Sequence, residues 1–269
     1  MPTLSHFLVA LRLALKAKFA WMVVGALAVV TLSTLLSAYF GGRQPATVAL
    51  DVSFSIIRLL VPLLIVLLVQ DLFSREFDKR YYLNSLTYPQ ARRRLLLERF
   101  AALLALLLSM LLALALLQIA LIQLIGDHYP QATPVAMGRL YLIVIAFVAL
   151  DLLVLSALAT LLAVVASTPS FVLIGTFGFM LVARSYGTIV ELLGHQAGLV
   201  SDTEGYRASL GVLGYLLPDL GALDLRMLAL YGKPEFFPAD WPWLLLSNLA
   251  YACALLTLAV WALQRKRFA

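Results

Sequence analysis

Long apolar runs alternate along the chain with short polar breaks. Six of them, at about 20–40, 52–72, 100–125, 139–166, 171–193 and 243–263, are long enough to cross a bilayer as helices, since a helical span takes about 20 apolar residues. The run at 100–125 is nearly pure Leu, Ala and Ile. The fourth and fifth runs are parted only by Ser167-Thr168-Pro169-Ser170. A proline disfavours helix at the residue before it, so a tight reversal is expected there. The first 18 residues have a different pattern, with Leu4, Phe7, Leu8, Leu11 and Leu15 at helical spacing and Ser5, Arg12 and Lys16 on another face. This suits a helix lying in the membrane interface, or an extension of the first span. No repeat of the two-halves kind found in secondary transporters is visible.

Composition agrees with the pattern. The chain is 63% hydrophobic and 13% charged, against about 45–50% and 25% in soluble domains. Lipid must therefore solvate much of the apolar surface. The runs are long and Leu/Ala-rich, without the short alternating segments of a β-barrel. The expected fold is one all-α integral membrane domain over residues 1–269. A net charge of +6 would ordinarily raise nucleic acid as a partner, but the cations sit at span ends, so none is expected. The single Cys253 lies inside an apolar run and says little about redox compartment. The first run is span-length and lacks a small-residue cleavage site, so it does not read as a cleavable signal.

Basic residues set the expected orientation. Thirteen lie in the N-terminal segment, the 71–99 loop and the Arg265-Lys266-Arg267 tail, whereas Arg43, Arg139, Arg207, Arg226 and Lys233 lie on the other side. The positive-inside rule then puts both termini and the 71–99 loop in the cytoplasm, and an even number of spans agrees. The long outer loop at 194–242 is still apolar over 210–231 (LGVLGYLLPDLGALDLRMLALY). Pro218, Asp219 and Gly221 should break it into two pieces too short to span, as in a re-entrant or interfacial hairpin. Phe236, Phe237, Trp241 and Trp243 would then form an aromatic belt.

The search for catalytic chemistry is negative. His6, His128 and His195 are far apart and lack metal-ligand companions. HExxH, GxSxG, CxxC and phosphate-binding glycine loops are missing. No cofactor is expected on the chain itself. Charges within the spans are more informative. Arg58, Asp151 and Arg184 fall inside runs, with Asp51 and Glu191 nearer the outer ends. A charge at the bilayer centre costs about 2.5–3.5 kcal/mol on insertion scales, so it usually faces protein or water. At the helical rise, Asp151 and Arg184 lie ~18 Å and ~15 Å from the outer ends of consecutive antiparallel spans, a depth match that permits a salt bridge, while Arg58 at ~10 Å could join them or pair with Glu191. The group is either a polar lining of a substrate path or a structural pairing that pins helix register.

The 71–100 stretch, DLFSREFDKRYYLNSLTYPQARRRLLLERF, carries seven Lys or Arg residues between two spans. It also holds Glu76, an amphipathic turn through Tyr81, Leu83 and Leu86, then Tyr88, Pro89 and Arg92 before the next span. An ordinary connector would gain nothing from these apolar positions in water. The stretch resembles the cytoplasmic loop of type-2 ABC exporter permeases, where an acidic residue, a Leu-rich short helix and Pro-x-x-Arg form the coupling helix that docks on the ATPase. It departs from the family in having Lys79-Arg80-Tyr81 where members often have Gly-Thr. The resemblance implies a transmembrane permease, with an N-terminal interfacial helix, six spans and a re-entrant pair before the last. Glu76, Leu83, Leu86, Tyr88, Pro89 and Arg92 would be the docking residues. It also implies a separate ABC ATPase subunit that carries ATP and Mg, a second permease copy, identical or homologous, and residence in the cell (inner) membrane. The competing expectation from the residues is an ion-coupled carrier or channel using Arg58, Asp151, Arg184 and Glu191, and a non-transporting membrane scaffold is a third.

Overall fold

A computed structural model describes residues 19–74, 92–128, 134–166, 168–196 and 217–265. These residues form helices, turns and loops, with no strand among them. Helix α1 is Ala20–Phe40 and α2 is Pro45–Val69, which ends in a π-helical turn at Gln70–Ser74. Helices α3 (Arg92–His128), α4 (Arg139–Val165) and α5 (Pro169–Gln196) follow, then a short α6 (Arg226–Tyr231), a 3₁₀ turn at Pro234–Phe236, and α7 (Trp241–Arg265). Six of these, α1–α5 and α7, are long and apolar enough to cross a membrane. The 1–18 segment and most of the 71–99 loop lie outside the described residues.

The helix ends follow local chemistry. Between α1 and α2 the chain reverses in four residues: Gly42 takes φ +57°, and a Cβ on Gly41 would sit 2.9 Å from the Pro45 Cα. Pro45 then opens α2, a position where its missing N–H costs nothing. This starts the second span seven residues before the expected 52, because Ala46, Ala49 and Leu50 continue its buried face. Helix α3 likewise begins before the expected 100. Arginine is a good helix former, so the basic stretch from Arg92 extends the apolar helix rather than ending it. At 37 residues, α3 is ~55 Å long and overshoots a hydrocarbon core of ~30 Å. The α4–α5 reversal is as tight as the sequence implies, with Ala166 extended and Pro169 as the first residue of α5.

Helices α2 and α4 form the centre of the bundle. Helix α4 packs on α2, α5, α6 and α7, while α1 packs on α2 and α3. Leu50, Phe54, Ile57, Ile65 and Val69 of α2 and Leu152, Val154 and Leu155 of α4 are fully enclosed. Helices α1, α5 and α7 instead leave Leu32, Leu36, Ile174, Leu181, Leu246 and Leu258 uncovered. Lipid is as apolar as these side chains, so such exposure costs little in a bilayer. Two buried threonine hydroxyls donate to their own helix: Thr34 to the Val30 carbonyl at 2.6 Å and Thr160 to that of Ser156 at 2.8 Å.

One buried polar seam joins three helices. Gln118 of α3 donates to Ser53 Oγ of α2 at 2.7 Å, and Tyr141 of α4 donates to Gln118 Oε1 at 2.7 Å and to the Ala115 carbonyl at 3.0 Å. All three side chains are buried. Tyr141→Phe removes the donor to Gln118 Oε1 and should lower stability by about 0.5–1.5 kcal/mol, within the range for hydrogen bonds between membrane helices. Adding Gln118→Leu removes the orphaned carbonyl and should restore part of the loss. Thermal unfolding of the purified variants in detergent checks both outcomes.

Candidate functional site

Asp51, Ser55 and Arg58 stand at i, i+4 and i+7 on α2 and so share one face. Four residues after Arg58, Pro62 lies inside the same helix. Proline has no amide hydrogen, so the Arg58 carbonyl loses its helical donor. Arg184 of α5 supplies one, Nη1 to the Arg58 carbonyl at 2.8 Å. Its Nη2 donates to Asp151 Oδ2 of α4 at 2.6 Å. Asp151 is fully enclosed, and the same oxygen lies 3.5 Å from Arg58 Nε.

The stretch before α6 completes the cluster. Expected as the break in a helical hairpin, it is non-helical through 217–225; only Arg226–Tyr231 is helical, and residues 210–216 lie outside the described part. The non-helical piece reaches down to the buried arginines. Arg58 Nη1 pairs with Asp224, and Nη2 donates to the Leu220 carbonyl at 3.1 Å. Leu220 N–H donates to the Ala183 carbonyl at 3.2 Å. Gly221 passes so close to α5 that a Cβ there would lie 2.5 Å from the Arg184 carbonyl oxygen. Arg226 Nη1 donates to Asp51 at 2.9 Å and to Ser55 at 2.7 Å, and its Nε lies 3.3 Å from Asp224. Leu220, Leu223, Leu225 and Leu228 are buried beneath these polar contacts.

The result is an alternating line of charge, Asp51–Arg226–Asp224–Arg58–Asp151–Arg184, built from α2, α4, α5 and the 217–226 segment. Beside it lies a cavity of about 630 Å³. Arg58, Arg184, Arg226, Asp219 and Asp224 bring charge to its wall, and Gly187 and Gly221 leave room. Asp151 Oδ1 and Arg184 Nε are buried without a hydrogen bond among the described residues. Such a cluster can hold a polar ligand at membrane depth by charge. No group of three His, Cys, Asp or Glu among the described residues is placed to hold a metal ion.

A family model described as ABC-2 family transporter protein matches residues 13–185. The chain belongs to the ABC-2 transporter family. It is therefore an ABC-2 type permease: a multi-pass membrane subunit for transport. No curated protein matches it. The matched residues include Arg58, Asp151 and Arg184 but stop short of Asp219, Asp224 and Arg226.

Of the residues singled out from sequence, the permease brings Arg58, Asp151 and Arg184 together, with Asp51 at the end of the same line. The Glu191 side chain lies outside the described residues, and Arg58 turns to Asp151 and Asp224. Glu76, Leu83, Leu86, Tyr88 and Pro89 also lie outside them; Arg92 opens α3, with its side chain outside the description. Sequence reasoning missed Asp224 and Arg226 as partners and Pro62 as the cause of the free carbonyl. The signals were present: ionisable residues in the apolar LLPDLGALDLRMLALYG, and a proline four residues after an intramembrane arginine.

Asp151→Asn should leave Arg184 without a carboxylate partner among the described residues and Arg58 with Asp224 alone, and cost about 3–5 kcal/mol, as breaking a buried pair does. The double variant Asp151→Asn with Arg184→Gln removes charge from both sides and should recover part of that cost. Unfolding midpoints of both variants in detergent test this; equal loss in the two would show that Arg184 carries no unpaired-charge penalty.

Proposed function

We propose that this permease is the membrane-spanning subunit of an ATP-driven exporter, coupled to a separate ATPase subunit through the 71–99 loop. Membership of the ABC-2 family, over a match that includes this loop, is the observation that carries the reading. Hydrolysis, with ATP and Mg, belongs to the ATPase. The Glu76, Leu83, Leu86, Tyr88, Pro89 and Arg92 segment is the docking helix. The excess of basic residues on this loop and at both ends supports a cytoplasmic placement of the loop and termini in the cell (inner) membrane. The first 18 residues form an interfacial helix there.

The contacts at the root of the loop suit force transfer. Arg99 Nη1 of α3 donates to the Leu72 carbonyl at 3.1 Å, which ties together the two ends that deliver the loop. Gln70 Nε2 donates to the Pro169 carbonyl at 3.0 Å, which ties the same root to the start of α5. A push on the loop therefore reaches α2 and α5, the helices that hold Arg58 and Arg184. Relative motion of these two helices changes the cavity between them, and the 210–231 segment above it acts as the outer gate. Two permease copies, or this chain with a homologous one, complete the membrane part.

Leu83→Asp and Leu86→Asp place charge on the apolar face of the docking helix. Each should abolish co-purification of an ATPase subunit with the permease while leaving its unfolding midpoint unchanged. Transport that proceeds with no ATPase present would overturn the reading in favour of an ion-coupled carrier.

A further inference from the structure

We infer that the cavity beside the charge line is a binding site for a ligand carrying a positively charged group, held by Asp219. The inference rests on the transport reading and gives its substrate a charge. It comes from the pairing of the groups around the cavity. Arg58, Arg184, Arg226, Asp219 and Asp224 line it, and Asp51 and Asp151 pair with the arginines from outside the wall, so among the described residues the ionised cluster has three arginines, four aspartates and one negative charge in excess. Arg58 lies between Asp151 and Asp224, and Arg226 lies between Asp224 and Asp51. Arg184 is held by Asp151 and the Arg58 carbonyl. An anion would meet guanidiniums whose charge is already paired, with Arg184 Nε the one buried guanidinium donor left open among the described residues. A cation displaces nothing.

Asp219 is the carboxylate left over. It lines the cavity, its Oδ1 accepts the Ala222 N–H at 3.0 Å, and it forms no ion pair among the described residues. Gly187 of α5 makes its position possible: a Cβ there would sit 2.9 Å from Asp219 Oδ2. The cavity, at about 630 Å³, falls within the range of roughly 300–1,000 Å³ typical of small-molecule sites. A guanidinium wall with every charge matched and one unmatched carboxylate select by charge: the arginines repel a cation that strays from Asp219, and Asp219 repels an anion.

Two probes of equal shape and opposite charge test this: tetraphenylphosphonium and tetraphenylborate, each dialysed to equilibrium against the full-length chain in detergent, with empty micelles subtracted. The phosphonium should bind saturably and the borate should not. Asp219→Asn keeps the acceptor for the Ala222 N–H and removes the charge, so it should weaken phosphonium binding by about tenfold or more at an unchanged unfolding midpoint. Asp219→Glu should retain most of the binding. Borate binding as tight as phosphonium binding, full affinity in Asp219→Asn, or no saturable phosphonium binding by a folded chain would each overturn the inference. The assay needs no ATPase. A chain that binds the phosphonium but never associates with an ATPase would preserve the site and remove the coupling reading, and the converse result would do the opposite.

Discussion

Pro62 brings no amide hydrogen to the middle of α2, so the Arg58 carbonyl is left without its helical partner where water is scarce. An unsatisfied carbonyl in hydrocarbon is costly, and a donor has to come from elsewhere. Arg184 provides it at 2.8 Å. A guanidinium at that depth needs counter-charge, and Asp151 on the adjoining helix meets the need at 2.6 Å. Asp151 also faces Arg58, whose remaining donors are taken by the Leu220 carbonyl and Asp224. The fold of the 217–226 segment is thus tied to a backbone group four residues before a proline. Each partner answers a requirement set by the one before it.

The spans were legible because lipid imposes a length and a composition that a sequence displays openly. Their ends were less so. The charges at 92–99 read as the end of a span, yet arginine propagates a helix, and α3 runs through them. The Asp151–Arg184 pair could be anticipated because a short reversal at Pro169 brings the two residues to matching depth on neighbouring antiparallel helices. The bond from Arg58 to Leu220 joins groups 162 residues apart, and no local pattern announces it. Asp224 and Arg226 sat in a stretch whose apolar character suggested helix. Their charge, the part of the signal that mattered, depends on partners that only the packed bundle reveals. The docking residues of the 71–99 loop rest on family likeness and not on geometry.

Two different forces fix the segment that covers the cavity. Leu223, Leu225, Leu228 and Leu230 bury apolar surface, and α6 packs on α4 and α2. Gly232, at φ +65°, closes α6 with its N–H on the Leu228 carbonyl at 3.0 Å. The portion nearer α5 is instead held by Asp224, the Leu220 backbone and the close approach at Gly221. Apolar contacts within a membrane have little solvent drive behind them and depend on shape. Charge pairs are directional, and their members can be exchanged.

That difference bears on why charges are used here at all. A buried ion pair seldom stabilises a protein more than well-packed apolar side chains of the same volume would. Six paired charges are therefore a poor way to build a rigid joint and a good way to build one with alternative partners. Arg58 lies within reach of two carboxylates on different parts of the bundle, Asp151 on α4 and Asp224 on the covering segment. In the transport cycle proposed above, the covering segment could release Asp224 while Arg58 keeps Asp151, so that no cation is left unpaired. Under the proposed transport reading the intramembrane charges would serve both as structural pairing and as substrate path, because the bonds that set the register of the helices are the ones a moving helix has to exchange.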